Sequence, residues 1–221
     1  RQRAQPSCQD LQGLSMFITL EGPEGSGKTS QLPALADHLR QAGFEVVVTR
    51  EPGGTAVGDQ IRDVLMNLEN VSILPRTEIL LFLAARAQHV EGLIRPALQA
   101  GKLVLCDRFG DSTLAYQGYG HQTDLDTLRF LLNYSTGGLK PDLTLLLDVP
   151  VKAGLSRKLD NTQEWNRLDA YAEAFHERVR QGYLSLAEQE PDRWVVIDAT
   201  QGKAQVQEAM REAILLKLKD R

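Results

Sequence analysis

The chain has 221 residues, 42% of them hydrophobic and 24% charged, which fits a globular protein with a substantial buried core. A net charge of −4 argues against a protein that holds a nucleic acid polymer by neutralising its phosphates. No apolar run of about 18 residues predicts a membrane span, and two cysteines without disulfide or zinc spacing favour a reducing cytoplasm.

The first 15 residues differ in character from the rest of the chain. Residues 1–15 are polar and lack periodicity, which predicts a disordered N-terminal extension. Met16 opens the first apolar run, so we expect residues 16–221 to form a single domain. Within that domain the stretch 160–166 is polar and aperiodic, and it predicts a mobile flap.

Short apolar runs alternate with helical patterns along the domain. The runs that predict strands cover residues 17–20, 45–49, 102–106, 143–147 and 194–197. The patterns that predict helices cover residues 29 to about 43, about 57–69, 75 to about 100, about 172–186 and about 203–218. Strands that alternate with helices predict a parallel α/β sheet.

A glycine-rich segment links the first strand to the first helix and matches the pattern G-x-x-x-x-G-K-[ST]. Its residues are Gly22, Pro23, Glu24, Gly25, Ser26, Gly27, Lys28 and Thr29. Glycines let successive backbone N–H groups face one anion at a helix N-terminus. Lys28 is then expected to reach the β- and γ-phosphates of a nucleotide, and the Thr29 hydroxyl to ligate Mg²⁺. The loop alone is compatible with GTPases, ATPases and small kinases.

Asp107 and Arg108 directly follow the third predicted strand. An acid in that place can hold a Mg²⁺-bound water, and the neighbouring arginine can bind a second phosphoryl group. A surface ion pair is the alternative interpretation, since acids and arginines often follow strands in α/β folds.

Phe82 and Arg86 are four residues apart and therefore share one face of a predicted helix. An aromatic ring can stack on a base while a guanidinium donates to its carbonyl edge. Without further context, a core aromatic and an interface charge explain the pair better.

Five pieces of the sequence together resemble the bacterial thymidylate kinase family. They are EGPEGSGKT (21–29), TREPGGT (49–55), LLFLAARAQH (80–89), CDRFGDSTLAYQG (106–118) and NRLD (166–169), ordered and spaced as in that family. The resemblance implies a P-loop nucleoside monophosphate kinase with a three-layer α/β/α fold, a five-stranded parallel sheet and a small lid at about 157–168. It also implies ATP-dependent phosphorylation of dTMP to dTDP for dTTP synthesis, and a homodimer.

The resemblance assigns roles around the sugar and phosphate of the acceptor. Glu24 matches the loop acid that binds the 3′-hydroxyl, so this carboxylate would serve the acceptor and not ATP. Arg50 and Arg108 match the arginines that hold the acceptor phosphate. Tyr116 matches a tyrosine packed under the deoxyribose, where a 2′-hydroxyl would collide.

The resemblance also assigns residues to the base. Phe82 matches the ring that stacks on thymine, and Arg86 the arginine that binds O4. Thr113 and Gln117 match polar residues near the N3 edge. Pro52 matches a proline that is usually cis in the family.

The catalytic cations implied are Lys28, Arg108 and one residue of the lid, because the phosphate loop offers no arginine of its own. We expect Arg157 to be the lid cation, with Lys158 and Arg167 as alternatives. Mg²⁺ with ATP is the implied cofactor, and Thr29 and Asp107 are its expected ligands.

Two other functions stay open at the level of sequence. One is a kinase for a different acceptor, such as dGMP, UMP or a free deoxynucleoside. The other is a nucleotide-dependent switch protein, although no guanine-reading Asn-Lys-x-Asp motif is visible.

Overall fold

The computed structural model describes residues 14–159 and 167–220. The strands in this part of the chain are β1 (Met16–Glu21), β2 (Val46–Arg50), β3 (Leu103–Asp107), β4 (Leu143–Asp148) and β5 (Trp194–Asp198). They form one five-stranded sheet in the order β2-β3-β1-β4-β5, and all four pairings are parallel. The predicted parallel α/β sheet is confirmed, with each strand near its predicted position.

The helices connect and cover these strands. They are α1 (Lys28–Gln41), α2 (Ala56–Met66), α3 (Pro75–His89), α4 (Arg95–Gln99), α5 (Gly110–Thr113), α6 (Leu125–Thr136), α7 (Val151–Leu159), α8 (Glu173–Gln189) and α9 (Lys203–Lys219). Two π-helical segments, Val90–Ile94 and Leu114–Gly120, and a 3₁₀ turn, Arg167–Ala170, complete the description. None of the described helices is long and apolar enough to cross a membrane.

The helices lie on both faces of the sheet. Alternate residues of β1 show this, since Met16, Ile18 and Leu20 pack with α1 and α9 while Phe17 packs on the opposite face with the π-helical segment Val90–Ile94. The three-layer arrangement follows from this alternation.

The structure differs from the prediction in the region between β3 and β4. The sequence patterns indicated no helix there, yet α5, the π-helical segment Leu114–Gly120 and α6 fill it. The first is a single turn, and a π-helix does not show the 3.6-residue period that the prediction relied on. The ends of α6 did carry signals, since Asp124 accepts from Thr127 N–H and Gly137 adopts a left-handed conformation.

The parallel strands bring their carboxyl ends to one edge of the sheet. In the register, Asp107 at the end of β3 is the partner of both Leu20 on β1 and Arg50 on β2. The segments that follow these three strands therefore emerge side by side, which is where ligands bind in open α/β sheets.

Two expectations concern residues that the structure describes only in part or not at all. The predicted disordered extension, 1–15, overlaps the described part only at residues 14 and 15, and Leu14 packs against the core. The predicted flap, 160–166, lies outside it, so of the predicted lid only residues 157–159 and 167–168 are described.

Candidate active site

A cavity of about 930 Å³ opens at the carboxyl edge of the sheet. The predicted site residues that line it are Glu24, Gly25, Ser26, Gly27, Lys28, Thr29, Arg50, Phe82, Arg86, Asp107, Arg108, Thr113, Tyr116, Gln117 and Arg157. Gly22 and Pro23 do not line it, although their carbonyls accept from the Lys28 ammonium. One cavity thus joins the phosphate loop to the segments after β2 and β3 and to α3.

The conformation of the phosphate loop is fixed by its glycines and by Lys28 near its end. Gly25 and Gly27 have φ angles of 68° and 92°, which favour glycine. A Cβ on Gly25 would also lie 1.9 Å from the carbonyl oxygen of Gly154 on α7. Lys28 Nζ donates to the Gly22 and Pro23 carbonyls and to Ser26 Oγ, each over 3.0 Å.

The electrostatic surroundings of Lys28 shift its proton affinity. Burial, assisted by the positive charge of Arg108, lowers the pKa of Lys28 to about 8, while Glu24 and Asp107 oppose the shift. The phosphates of a nucleotide entering the loop would place negative charge beside the Lys28 ammonium and stabilise its protonated form.

Thr29 and Asp107 meet across the mouth of the loop. Thr29 Oγ1 donates to Asp107 Oδ2 over 3.0 Å. Asp107 Oδ1 is buried and accepts no hydrogen bond from the described part of the chain, which suits a carboxylate that serves a cation or its water. No group of three or more His, Cys, Asp and Glu side chains in residues 14–159 and 167–220 could hold a metal. The Thr29 hydroxyl and the Asp107 carboxylate are only two donors, which fits Mg²⁺, because this ion typically takes one or two protein oxygens and completes its shell with phosphates and water.

Glu24 is the centre of an ionic cluster at the junction of the loop and the rest of the cavity. Its Oε1 accepts from Arg108 Nη2 and from the Tyr116 hydroxyl, each over 2.6 Å, and Lys158 Nζ lies 3.8 Å from Oε2. Burial raises the pKa of Glu24, but the charges of Arg108, Lys28 and Lys158 outweigh it and lower that pKa to about 2. The carboxylate is therefore ionised and keeps an oxygen near the lysine.

Glu21 is a second buried acid, and Tyr183 links it to Arg108. Glu21 accepts from Phe109 N–H, Ser112 Oγ and the Tyr183 hydroxyl, and Tyr183 in turn accepts from Arg108 Nη1. Burial first, and then the charge of Asp111, raises the pKa of Glu21 to about 7. Arg108 itself has a φ angle of 68°, a conformation that L-residues rarely adopt, so its side chain is aimed by a strained turn and by fixed partners.

Arg86 is nearly fully buried, with 2% of its surface exposed. It donates from Nε to Glu51 Oε2 over 2.7 Å, from Nη1 to Thr113 Oγ1 over 3.0 Å and from Nη2 to the Phe109 carbonyl over 3.0 Å. The guanidinium has further N–H donors, and Arg86 lines the cavity beside Phe82. The helix pattern alone favoured an interface charge at position 86, and the buried position of Arg86 contradicts that interpretation.

The segment that holds Arg86 includes the predicted cis proline. The Glu51–Pro52 peptide bond is cis, as expected from the resemblance. Glu51 Oε1 lies 2.9 Å from His89 Nδ1, and His89 Nε2 lies 2.7 Å from Thr49 Oγ1. A buried chain of hydrogen bonds therefore runs from β2 to the guanidinium of Arg86.

The cations expected from the lid occupy three different places. Arg157 lines the cavity and donates from Nη1 to the Ala199 carbonyl over 3.1 Å and to the Gly25 carbonyl over 3.5 Å. Lys158 also lines it, beside Glu24. Arg167 does not line it: this residue is buried, donates to the Leu65 carbonyl and forms an ion pair with Glu78.

Several residues around the cavity were missed by the sequence interpretation. They are Glu21, Glu51, Arg62, Glu78, His89, Tyr183 and Lys203. Arg62 could have been found, since it lies on the predicted helix after the REPGG segment. Glu21, Glu51 and His89 lie inside the segments EGPEGSGKT, TREPGGT and LLFLAARAQH, but their contacts are with partners far away in the chain. Glu78 and Tyr183 lie in none of these segments, and their partners are also distant. Lys203 lines the cavity from the start of α9.

A family model described as thymidylate kinase matches residues 20–210 of the chain. The chain belongs to the thymidylate kinase family. Relatives named thymidylate kinase include one from Geotalea uraniireducens, 48% identical over 210 residues, which are 93% of this chain and 99% of the relative. Another, from Thermomicrobium roseum, is 54% identical over 187 residues, which are 85% of this chain and 88% of the relative.

A solved structure agrees with this family. The crystal structure of thymidylate kinase from Ehrlichia chaffeensis matches with a TM-score of 0.74 and 34% identity, over 91% of this chain and 98% of that one. The predicted P-loop α/β fold and the predicted enzyme class, a nucleotide kinase, are confirmed. The other two functions considered from sequence are not favoured.

Proposed function

We propose that the chain transfers the γ-phosphoryl group of ATP to dTMP and releases ADP and dTDP. The observation that carries this proposal is the position of Glu24. It belongs to the phosphate loop, yet it is bonded to Arg108 and Tyr116 from the segment after β3, so the donor and acceptor sites share one wall.

The donor side of the cavity takes the phosphates of ATP. The N–H groups of the loop and the N-terminus of α1 face the anion, and Lys28 reaches its β- and γ-phosphates. Thr29 and Asp107 would hold Mg²⁺, which when bound neutralises part of the phosphate charge. The Thr29–Asp107 hydrogen bond supports this assignment, and so does Asp107 Oδ1, which is buried and accepts no hydrogen bond from the described residues.

The acceptor side takes the phosphate and sugar of dTMP. Arg108 and Arg50 hold the phosphate; Arg50 lines the cavity and is exposed enough to move toward a ligand. The ionised Glu24 accepts from the 3′-hydroxyl. The ring of Tyr116 lies under the deoxyribose and leaves no room for a 2′-hydroxyl.

The base lies between Phe82, on which it stacks, and the polar residues behind it. Arg86 donates to O4 with the N–H groups that its protein partners leave over. Thr113 and Gln117 lie at the N3 edge, and both line the cavity beside Arg86.

The chemical step needs no general base. The acceptor phosphate has a second pKa of about 6, so its oxygen is already anionic at neutral pH. That oxygen forms a bond to the γ-phosphorus while the bond to the β–γ bridging oxygen breaks, and its electron pair leaves with ADP. Lys28, Arg108 and Arg157 surround the transferring group and stabilise its charge.

We infer that the lid predicted at about 157–168, of which residues 160–166 lie outside the described part of the chain, closes over the phosphates and excludes water, which would otherwise hydrolyse ATP. Arg157 is the cation it brings. Its present contacts, to carbonyls of the loop and of Ala199, hold it at the mouth of the donor site.

We also propose that two copies of the chain form a homodimer in the cytoplasm. The supporting feature, called here the exposed apolar surface, is a set of exposed apolar side chains on α2, α3 and α6; α3 packs against each of the other two helices. Its members are Val57, Val64, Leu80, Phe130 and Tyr134, each at least 44% exposed.

An acceptor panel tests the proposed reaction. ADP release from Mg·ATP is followed with dTMP, dGMP, UMP and thymidine as acceptors. We expect dTMP to give the highest kcat/KM, and a higher value for any other acceptor would contradict the proposal.

A further inference from the structure

Gln117 and Glu78 form a hydrogen bond behind the cavity. Gln117 Nε2 donates to Glu78 Oε1 over 2.7 Å, and the two side chains are 2% and 1% exposed. Glu78 stands in the first turn of α3 and Gln117 in the π-helical segment Leu114–Gly120. No motif joins them, and the roles proposed above leave Glu78 unused.

This bond fixes which end of the Gln117 amide points into the cavity. An ionised carboxylate has only acceptor atoms, so the amide must turn its NH₂ group toward Glu78. The carbonyl oxygen Oε1 is then directed away from Glu78. Oε1 accepts no hydrogen bond within the described part of the chain, and it is not one of the atoms there that are both buried and without a partner. It is therefore open to the cavity that Gln117 lines.

Glu78 is itself held in place and kept ionised. Arg167 Nη2 donates to its Oε2, and the Tyr171 hydroxyl lies 3.5 Å from the same atom. Burial raises the pKa of Glu78, but its interactions with His121, whose Nε2 lies 3.5 Å from Oε1, and with Arg167 and Gln117 outweigh burial and lower that pKa to about 2. Glu78 therefore stays ionised at neutral pH, and the Gln117 amide keeps the same direction there.

We propose that Glu78 is a positioning residue that makes Gln117 a hydrogen-bond acceptor toward the base, and that it thereby selects pyrimidines with an N3–H. This rests on the proposed function, which places the base of the acceptor against Gln117. Thymine has a donor at N3 and an acceptor at O4, whereas cytosine has an acceptor at N3 and a donor at N4. A carbonyl at N3 and the Arg86 guanidinium at position 4 complement thymine at both places and cytosine at neither.

The charge of Glu78 matters because an amide can be reversed. Beside a neutral partner, Gln117 could offer either its oxygen or its NH₂ group to the base with nearly equal ease, and it would then accept cytosine at N3. A site built to pair one hydrogen-bonding group rejects the mismatched analogue strongly, because a buried polar group is left unpaired.

The test compares dTMP with 5-methyl-dCMP, which differs from it only at the N3 edge and position 4. In Glu78→Gln we expect the ratio of kcat/KM for dTMP over 5-methyl-dCMP to fall by ~10-fold, with the change mainly in KM. Loss of stability alone lowers both activities together and leaves this ratio unchanged. In Gln117→Ala the ratio falls similarly, and Glu78→Gln causes no further fall in that background.

Arg167→Lys is the matched control, since it keeps a cation on Glu78 and should keep the ratio. Should Glu78→Gln fail to fold because Arg167 loses its counter-charge, the double variant Glu78→Gln/Arg167→Gln removes both charges and is expected to show the same fall. An unchanged ratio in a folded Glu78 variant, or an equal fall in Arg167→Lys, would overturn the proposal.

Binding of the two monophosphates, measured by calorimetry without ATP, separates this inference from the proposed reaction. If the parent protein phosphorylates neither nucleotide, the proposed function fails, while the ratio of the two Kd values still tests Glu78. If the parent uses dTMP and the Glu78 variants keep full discrimination, only the inference fails.

Discussion

The Tyr116 hydroxyl donates to Glu24 Oε1 over 2.6 Å, so an aromatic ring from the segment after β3 is bonded to an acid of the phosphate loop. The ring is buried, packs edge-on against Phe175 and Tyr183, and has the Arg108 guanidinium 5.1 Å from its centroid. A side chain held on so many sides cannot move aside for an extra atom on the ligand.

This rigidity predicts how Tyr116 discriminates between sugars. In Tyr116→Ala the ratio of kcat/KM for dTMP over ribo-TMP should fall by at least ~10-fold, about 1.4 kcal/mol. Tyr116→Phe should keep most of the ratio, because the ring and not the hydroxyl excludes the 2′-hydroxyl. An unchanged ratio in folded Tyr116→Ala would remove Tyr116 from the sugar site.

The pKa of Lys28 predicts a pH limit on ATP capture. Because this pKa is lowered to about 8, the ammonium is charged below pH 8 and loses its charge as the pH rises through that value. The kcat/KM for ATP, which reports the free enzyme, should therefore fall above about pH 8. Bound phosphates raise the pKa again, so kcat at saturating ATP should hold to a higher pH.

Two variants check that Lys28 causes this limit. Lys28→Arg stays charged and should lose the decline near pH 8, whatever its absolute rate. Lys28→Ala should lower kcat by ~100-fold or more with the fold intact, as expected for one cation at a developing phosphoryl charge. A decline near pH 8 that persists in Lys28→Arg would show that another group titrates.

The role of Arg157 predicts a particular kinetic pattern. Arg157→Ala should lower kcat more than it raises the KM for dTMP, because the contact strengthens mainly in the transition state. Arg167→Ala is the comparison, since Arg167 pairs with Glu78 away from the cavity and should lack this pattern. If Lys158→Ala shows it and Arg157→Ala does not, the catalytic role belongs to Lys158.

The exposed apolar surface predicts a dimer that one charge can break. The parent should sediment as a dimer at micromolar concentration, and Phe130→Glu should sediment as a monomer, because a two-fold interface places the new charge on both copies. Leu216→Glu makes a comparable change on α9, outside this surface, and should stay dimeric. A monomeric parent, or a dimeric Phe130→Glu, would contradict the proposed interface.

Sequence patterns alone predicted those parts of the site that are contiguous in the chain, and the family resemblance supplied the other expected residues, such as Arg86 and Tyr116. The phosphate loop and Asp107–Arg108 each follow a strand directly, so their place at the carboxyl edge of the sheet follows from the alternation of strands and helices. The supporting contacts could not be predicted in this way. Glu78 is 39 residues from Gln117 and 89 from Arg167, and Glu21 is 162 from Tyr183. Such pairs depend on how the helices pack, which no local pattern encodes.

The measurement that tests the central claim most directly is the transfer of label from ATP. The protein is incubated with Mg·ATP labelled in the γ-phosphoryl group and with dTMP, and the nucleotides are then separated and identified. We predict that the label appears in the β-phosphoryl group of dTDP, in step with the formation of ADP. Label found only in inorganic phosphate, or in the product of another acceptor while dTMP stays unlabelled, would contradict the account.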